Sequence, residues 1–160
     1  MSLIKPFSGI RPKKKFAKEV TSPNVSYIDN YKPNKKLNFL NLLNTSKINK
    51  SKKILKSLKD KGIIQQDTSN HFYLYRITYN NKKLLGIVGK INLDNYDDKK
   101  ILGHEETFIE RIKKRKEQLL KFNSQISPIY TTYKSTPNSL KKLKNIFRFK
   151  SDYNFKSKDK

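Results

Sequence analysis

An aromatic and β-branched run, followed by two asparagines and a second apolar run, most constrains the fold of this 160-residue chain. Residues 71–79 read HFYLYRITY, and side chains of these types favour strands. Asn80 and Asn81 tolerate the positive φ angles of a tight hairpin turn. The apolar pattern then resumes from Leu84 to Leu93. The sequence therefore predicts a β-hairpin at about residues 71–93.

Two glycines, Gly86 and Gly89, interrupt the second strand of this hairpin. Glycine weakens a strand because it has no side chain to pack, and it often marks a bulge or a close backbone approach. We expect one of these features here. The segment from Gly86 to Lys90 also resembles part of a phosphate-binding loop, but it lacks the full spacing and the Ser or Thr after the lysine. We interpret it as a strand.

Helical periodicity is found on both sides of the hairpin. A helix is predicted from Ser46 to Lys61, with Gly62 as its left-handed C-cap. A longer helix is predicted from Glu105 to Phe122, and its first-turn glutamates suit the positive end of the helix dipole. Five residues give that helix an apolar stripe: Phe108, Ile109, Ile112, Leu119 and Leu120.

Two further elements are predicted after the long helix. Residues Ser127 to Tyr133 favour a strand that begins at a proline. Thr136 and Pro137 are typical of an N-cap and a first helical position, so a short helix is expected to open there. Its core-facing residues would be Leu140, Leu143 and Phe147.

Strands and helices together indicate a mixed α+β fold. We expect a small antiparallel or mixed sheet that contains the hairpin at about 71–93, a long helix at about 105–122, and flanking short helices. Residues 1–149 are predicted to form a single α+β domain, with 150–160 as a polar, flexible tail. The hydrophobic fraction of 34% predicts a modest core.

The sequence favours a cytoplasmic location. No stretch approaches the roughly 18 apolar residues of a membrane span, and the N-terminus lacks the continuous apolar region of a secretory signal. The chain has no cysteine, which excludes disulfides and thiolate metal sites. It also lacks the His-Glu-x-x-His spacing of zinc hydrolases, so no metal site is predicted.

The formal net charge of +24 raises the possibility of a nucleic-acid partner, because clustered cations neutralise phosphates. Lysine outnumbers arginine by 32 to 5, however, and phosphate or base recognition favours the planar fork of arginine. The lysine-rich, alanine-poor composition is typical of an AT-rich genome, and we favour mutational bias as its cause. Aromatics at 72, 73, 75 and 79 could stack on bases, although alternating core and surface positions explain them as well.

Six short segments, in order along the chain, carry a family resemblance. They are Ile4-Lys5-Pro6-Phe7-x-Gly9-Ile10-Arg11-Pro12; Ser22-Pro23; Gly62-Ile63-Ile64-x-Gln66-Asp67 with Phe72-Tyr73-x-Tyr75-Arg76; Gly86-Ile87-Val88-Gly89; His104-Glu105-x-Thr107; and Ser127-Pro128-Ile129-Tyr130-x-Thr132-Tyr133. Together they resemble successive motifs of the domain-of-unknown-function 1015 family over about residues 3–147.

The resemblance implies a kinase lineage. Members of that family are usually more than twice as long and carry a later Asp-Gly-His-His-Arg segment, similar to the phosphate-binding motif of free-serine kinases with a ParB/sulfiredoxin-like fold. This sequence has no such segment. The resemblance therefore implies a shortened relative of ATP- or ADP-dependent amino-acid (serine) kinases, inactive or weakly active unless a second chain completes its site.

Two departures from the family pattern bear on catalysis. Where the family has Ser-Pro-Pro-Tyr-Asp-Val, this chain has Ser22 to Tyr27 without the Tyr-Asp pair. The acidic stretch after the His-Glu-x-Thr motif becomes Ile109 to Lys116, which keeps Glu110 but loses the aspartate.

The candidate catalytic residues are Glu105 as general base and His104 as its neighbour in proton transfer. Thr107, Arg11 and Arg76 are the candidate ligand- or phosphate-binding residues, because phosphoryl transfer requires cations near the moving charge. The implied cosubstrate is ATP or ADP with Mg²⁺. In the structural alternative, Glu105 is an ordinary first-turn acid and His104 a helix-start residue. The alternative function is that of a basic nucleic-acid-binding accessory protein.

Overall fold

The computed structural model of the chain describes residues 3–21, 36–39, 41, 48–94, 100–103, 108–126 and 128–154. The chain divides into two compact units. The first unit consists of Met1–Gly9 and Asp67–Arg148, and the second of Ile10–Gln66 and Phe149–Lys160. The prediction of a single domain over residues 1–149 with a flexible tail remains a prediction.

Short strands and helices follow one another in groups along the described ranges. In chain order they are β1 (Ile4–Lys5), β2 (Ile10–Pro12), a 3₁₀ turn (Lys14–Phe16), α1 (Ala17–Val20), α2 (Ile48–Asp60), β3 (Ile64–Gln66), β4 (Tyr73–Tyr79), β5 (Lys82–Val88), β6 (Lys90–Ile91), α3 (Ile109–Phe122) and α4 (Pro137–Ile146). The described strands pair antiparallel as β1 with β6, β2 with β3 and β4 with β5. Helices beside small antiparallel sheets confirm the predicted α+β class.

The hairpin predicted at about 71–93 is formed by β4 and β5. Its register places Tyr73 opposite Val88 and Tyr79 opposite Lys82. Asn80 and Asn81 connect the strands with φ angles of 44° and 61°. Asparagine tolerates this left-handed region better than most residues do, and two such residues make the tight turn that matches strand twist.

Gly86 and Gly89 both mark close approaches, as the sequence predicts. A Cβ at Gly86 would overlap the ring of Tyr75, the residue paired with it across the hairpin. A Cβ at Gly89 would overlap the Ile4 side chain. Glycine is therefore required at both positions. At Gly86 the Tyr75 ring lies against β5, and at Gly89 the β1 residue Ile4 lies against the backbone just after β5.

A small apolar core holds the second unit together. The buried apolar side chains that the structure describes in this unit are Ala17, Val20, Leu58, Ile63 and Ile64. Helix α2 ends within one residue of the predicted boundary, and Gly62 takes the left-handed conformation expected after it, with a φ of 60°. The Lys13 amide donates to the Ile63 carbonyl at 2.9 Å, which links the end of β2 to the segment entering β3.

Helix α3 confirms the long predicted helix from Ile109 onward, but it begins four residues after the predicted start at Glu105, so its first-turn acid is Glu110. The apolar stripe of this helix is not buried. Phe108 is its N-cap, and Asn123, with a φ of 45°, is its left-handed C-cap. Ile109 is 70% exposed and Leu120 is 72% exposed. The buried side chain of this helix is Phe122. Periodicity predicts that apolar residues share a face, whereas burial also requires a covering element.

The prediction of a strand from Ser127 to Tyr133 is wrong for residues 128–133, the part of that segment that the structure describes. Residues 128–136 have no regular secondary structure, and Ile129, Tyr130 and Tyr133 are exposed. A strand forms only when it pairs with another strand. Residue types that favour strands do not by themselves provide that second strand.

The short helix predicted after Thr136 is confirmed as α4. The Thr136 side chain accepts from the Ser139 amide, and the Ser139 side chain accepts from the Thr136 amide, which forms a capping box. Pro137 occupies the first helical position, where its missing N–H costs nothing. Leu143 is buried, as the sequence predicts, whereas Leu140 is 40% exposed.

Candidate functional site

Three segments of the first unit converge on the hydroxyl of Tyr73. This hydroxyl donates to a carboxylate oxygen of Asp67 at 2.6 Å. It also accepts a hydrogen bond from the backbone amide of Gly9 at 2.7 Å. All three residues belong to segments that carry the family resemblance, so motifs far apart in sequence meet at one polar centre.

The Ser8–Gly9 backbone is held to Asp67 from further sides. The Ser8 hydroxyl donates to the Asp67 carbonyl, and the Asp67 amide donates to the Gly9 carbonyl at 3.0 Å. One step along the chain, Phe7 and His71 exchange backbone hydrogen bonds of 2.9 and 3.0 Å. We refer to Ser8, Gly9, Asp67 and Tyr73 as the Tyr73 network.

The Tyr73 network leaves no room for a side chain at position 9. A Cβ on Gly9 would lie 2.7 Å from the Tyr73 hydroxyl oxygen. The Phe7 and Tyr73 rings pack with centroids 5.1 Å apart at 56°, within the favourable range for aromatic pairs. Every member of the network is half-buried, where hydrogen bonds gain strength because water competes less.

The hydrogen bonds of the Tyr73 network position the backbone around Gly9 and are not arranged for catalysis. The tyrosine O–H is directed at a carboxylate, and the serine O–H at a carbonyl, so neither hydroxyl is arranged as a nucleophile next to a base. The effect is to fix the loop that precedes β2. Gly9, Asp67 and Tyr73 belong to sequence motifs, but the sequence predicts no role for them, because a contact between positions 9, 67 and 73 depends on the tertiary fold.

Arg11, a candidate phosphate-binding residue, lies on β2 in the second unit and is half-buried. Its guanidinium donates to the Tyr153 hydroxyl at 2.9 Å and lies 5.9 Å from the centre of that ring. The same hydroxyl donates to the Pro12 carbonyl at 2.6 Å. Tyr153 therefore orients this guanidinium through both a hydrogen bond and its ring face.

Arg76, the other candidate cation, lies on β4 in the first unit opposite Leu85. Its side chain is exposed. The exposed neighbours on the same strand face are Leu74 and Thr78. Its charge is therefore available to solvent and to any anion that approaches this face of the hairpin.

The catalytic candidates His104 and Glu105, together with Thr107, lie outside the described residues. Their roles remain predictions from the sequence. Within the described ranges, no group of three His, Cys, Asp or Glu side chains could hold a metal ion. No helix in those ranges is long and apolar enough to cross a membrane.

Helix α3 is a strongly cationic element of the first unit. Its cationic side chains are Arg111, Lys113, Lys114, Arg115, Lys116 and Lys121, against two acids, Glu110 and Glu117. The Arg111 guanidinium lies 5.2 Å from the Phe108 ring centre, and Arg115 donates to the Gln118 side chain at 3.1 Å.

A shallow cavity of about 410 Å³ runs along one side of α3. It is lined by Arg111, Ile112, Arg115, Lys116 and Leu119. In sequence, this stretch departs from the acidic motif of the family that the chain resembles. Its apolar residues are exposed, unlike those of an ordinary core-facing helix. The local sequence does not predict this exposure, because it depends on whether another element of the fold covers the helix.

An α+β protein with these converging motifs matches a known family. The family described as "Protein of unknown function (DUF1015)" matches residues 4–160, and the chain belongs to it. The resemblance drawn from the six sequence segments is thereby confirmed. No curated protein and no solved structure matches the chain.

Proposed function

We propose that this chain is a kinase-related phosphotransfer protein that acts on a free amino acid, serine in the first instance, with ATP or ADP as donor. The observation that carries the proposal is the His104-Glu105-x-Thr107 motif within the family match over residues 4–160. It pairs two side-chain types suited to proton transfer at neutral pH. We propose a cytoplasmic location for this activity, as the sequence predicts.

In the proposed reaction, the serine hydroxyl oxygen attacks the terminal phosphorus of the nucleotide. The bond from that phosphorus to the bridging oxygen breaks, and the shortened nucleotide leaves. Glu105 accepts the hydroxyl proton, with His104 beside it. Thr107 binds the ligand through its hydroxyl. Because phosphoryl transfer depends on positioning and charge neutralisation, the protein's main contribution would be orientation.

The guanidinium groups of Arg11 and Arg76 are the proposed phosphate contacts. Arginine is suited to this role because its planar fork donates two parallel hydrogen bonds to an oxyanion. The orientation of Arg11 by Tyr153 supports the proposal, since a guanidinium that is already oriented loses less entropy on binding an anion.

The test is a phosphoserine assay with the purified chain, L-serine, Mg²⁺ and either ATP or ADP, read by mass spectrometry. We expect a low yield of phosphoserine from the native chain alone, because it lacks the later phosphate-binding segment of the family. A further loss of about two orders of magnitude or more is expected in Glu105→Gln, the range attributed to a positioned base. Glu117→Gln is the matched control, because Glu117 is an exposed carboxylate on α3.

Two results would contradict the kinase proposal. One is the absence of phosphoserine with both nucleotides. The other is equal loss of product in Glu105→Gln and Glu117→Gln, which would indicate a general effect of charge. Arg11→Gln and Arg76→Gln are expected to raise the nucleotide KM, with Arg148→Gln as the control for an exposed arginine.

A second candidate function is nucleic-acid binding, and the cationic helix α3 favours it. Its test is fluorescence anisotropy with a labelled single-stranded RNA and a labelled DNA duplex, each of about 20 nucleotides per strand. Binding that persists at about 150 mM salt supports this function. Binding seen only at low salt reflects the net charge of +24 and contradicts it.

A further inference from the structure

We propose that one face of α3, formed by Arg111, Ile112, Arg115, Lys116 and Leu119, is a docking surface for an acidic, amphipathic segment of a partner protein. These residues line the cavity of about 410 Å³ described above. We call them the α3 face. The inference goes beyond the proposed phosphotransfer and does not depend on it, since none of these residues belongs to the candidate site.

The apolar part of the α3 face is exposed. Ile112 is 52% exposed and Leu119 is 48% exposed. On the same helix, Ile109 and Leu120 are 70% and 72% exposed. Scattered apolar side chains are ordinary on a protein surface, but several on one stretch of helix, bordered by charges, are typical of an interaction site.

Helical spacing places these side chains in a row. Ile112, Lys116 and Leu119 recur at steps of four and three residues, which puts them on one side of the helix. Arg111 and Arg115 form the adjacent row at a spacing of four. A row with two apolar side chains, next to a row of two arginines, is complementary to a helix with apolar residues on one face and carboxylates at its border.

The first unit also exposes apolar side chains on both faces of its hairpin. Leu74 and Ile87 form a cross-strand pair on one face, and Ile77 and Leu84 form a pair on the other. All four are more than 40% exposed. In this unit the buried apolar side chains that the structure describes are Phe122 and Leu143.

A nucleic acid would mainly use the cations of the α3 face. Its phosphates would pair with Arg111 and Arg115, whereas single-stranded bases stack on aromatic side chains, and the α3 face has none.

Charge decides the chemistry of the partner. The α3 face carries three cations and no acid. A second copy of the chain would bring a net charge of +24 against the same charge, which opposes association. An acidic partner gains both attraction during encounter and specific pairing with the two arginines. The occupant is therefore an acidic protein segment with an apolar face.

The probe is a fluorescein-labelled synthetic helix of about three heptads, with Leu at the a and d positions and Glu at most other positions. A scrambled peptide of the same composition has equal charge but no apolar face. Anisotropy is measured at about 150 mM salt, where long-range charge effects are screened. We expect saturable binding of the amphipathic peptide to the native chain and at least about tenfold weaker binding of the scrambled peptide.

Variants locate the binding to the α3 face. The double variant Ile112→Ser/Leu119→Ser is expected to weaken peptide binding by about tenfold or more, the loss typical of removing central apolar contacts. Lys114→Ser is the matched control, since Lys114 is exposed and absent from the cavity lining, and its binding should stay within about twofold of native. Lys116→Glu tests the charge without removing an apolar side chain, and it should also weaken binding.

Folding is followed by thermal melting of each variant, because a misfolded double variant would lose binding for another reason. In that case Lys116→Glu decides, and unchanged peptide affinity in that variant overturns the proposal. Equal binding of the amphipathic and scrambled peptides overturns it too. So does an absence of peptide binding together with binding of oligouridylate RNA or of phosphatidylglycerol vesicles that the double variant abolishes.

Discussion

The Tyr73 hydroxyl lies 2.6 Å from a carboxylate oxygen of Asp67, and the Tyr73 hydroxyl oxygen itself accepts a hydrogen bond from the Gly9 amide. One side chain on the first strand of the hairpin thus satisfies polar groups from two other segments. The contact also explains the glycine, because a Cβ at position 9 would lie 2.7 Å from this hydroxyl. Two of the six segments that carry the family resemblance are therefore linked by one structural requirement.

Replacing Tyr73 by phenylalanine is expected to destabilise the fold. The substitution keeps the ring packing with Phe7 but removes the donor to Asp67 and the acceptor for Gly9. Losing a hydrogen bond to a charged group at a half-buried position costs about 1–3 kcal/mol of unfolding free energy. Chemical denaturation followed by circular dichroism measures the change.

Tyr75→Phe is the matched control for Tyr73→Phe, because Tyr75 is half-buried on the same strand and no described hydrogen bond involves its hydroxyl. We expect this control to change the unfolding free energy by less than about 0.5 kcal/mol. Equal effects of the two substitutions on the unfolding free energy would show that the hydrogen bonds of the Tyr73 network do not contribute to stability.

The contact between Gly86 and Tyr75 gives a second prediction. Gly86→Ala places a Cβ where the Tyr75 ring lies, so the ring or the strand must move. Overpacking of this kind costs about 1–3 kcal/mol. The ring is the cause, so Gly86→Ala introduced into Tyr75→Ala should cost much less than it does in the native chain.

A double-mutant cycle on Gly86 and Tyr75 makes this measurable. We expect a coupling free energy of about 1 kcal/mol or more between the two substitutions, since residues in contact rarely behave additively. Additive effects would mean that the cost of Gly86→Ala comes from the backbone and not from the aromatic ring.

Local chemistry explains which elements could be predicted from the sequence. The Asn80-Asn81 turn and the Thr136 cap depend on backbone preferences of residues adjacent in sequence, and both are confirmed. The strand predicted after Pro128 and the buried stripe of α3 both require a partner element, which local pattern does not specify. The Tyr73 network could not be predicted for the same reason, because contacts such as that between Gly9 and Tyr73 join residues 64 positions apart.

The capping box of α4 gives a third prediction. Thr136→Ala removes the side-chain oxygen that accepts from the Ser139 amide at 3.2 Å. Loss of an N-cap costs about 1 kcal/mol, because an amide of the first turn is left without its partner. The change is read as a lower unfolding free energy together with a small loss of helical signal in circular dichroism.

Thr132→Ala is the control for the Thr136 cap, since Thr132 is exposed in the segment without regular structure. Its effect should lie within about 0.5 kcal/mol. Thr136→Ser should retain stability, because serine offers the same hydroxyl acceptor. A loss in Thr136→Ser equal to that in Thr136→Ala would argue that the methyl group, and not the cap, is responsible.

Tyr153 gives the fourth prediction, and it concerns the second unit. Its hydroxyl donates to the Pro12 carbonyl at 2.6 Å and accepts from Arg11 at 2.9 Å. Tyr153→Phe removes both hydrogen bonds but keeps a ring near the guanidinium. We expect a loss of about 1–2 kcal/mol in unfolding free energy, measured by chemical denaturation, because each such bond contributes about 1 kcal/mol.

The exposed residue Tyr133 supplies the control, and Tyr133→Phe should be close to neutral. Tyr153→Ala then separates the ring from the hydroxyl. If the guanidinium also interacts with the ring face, as its distance of 5.9 Å from the ring centre indicates, this variant should be less stable than Tyr153→Phe. Equal stability of Tyr153→Phe and Tyr153→Ala would show that the hydrogen bonds, and not the ring, account for the stabilisation. An unchanged unfolding free energy in Tyr153→Phe would show that the hydroxyl contributes nothing to holding Arg11.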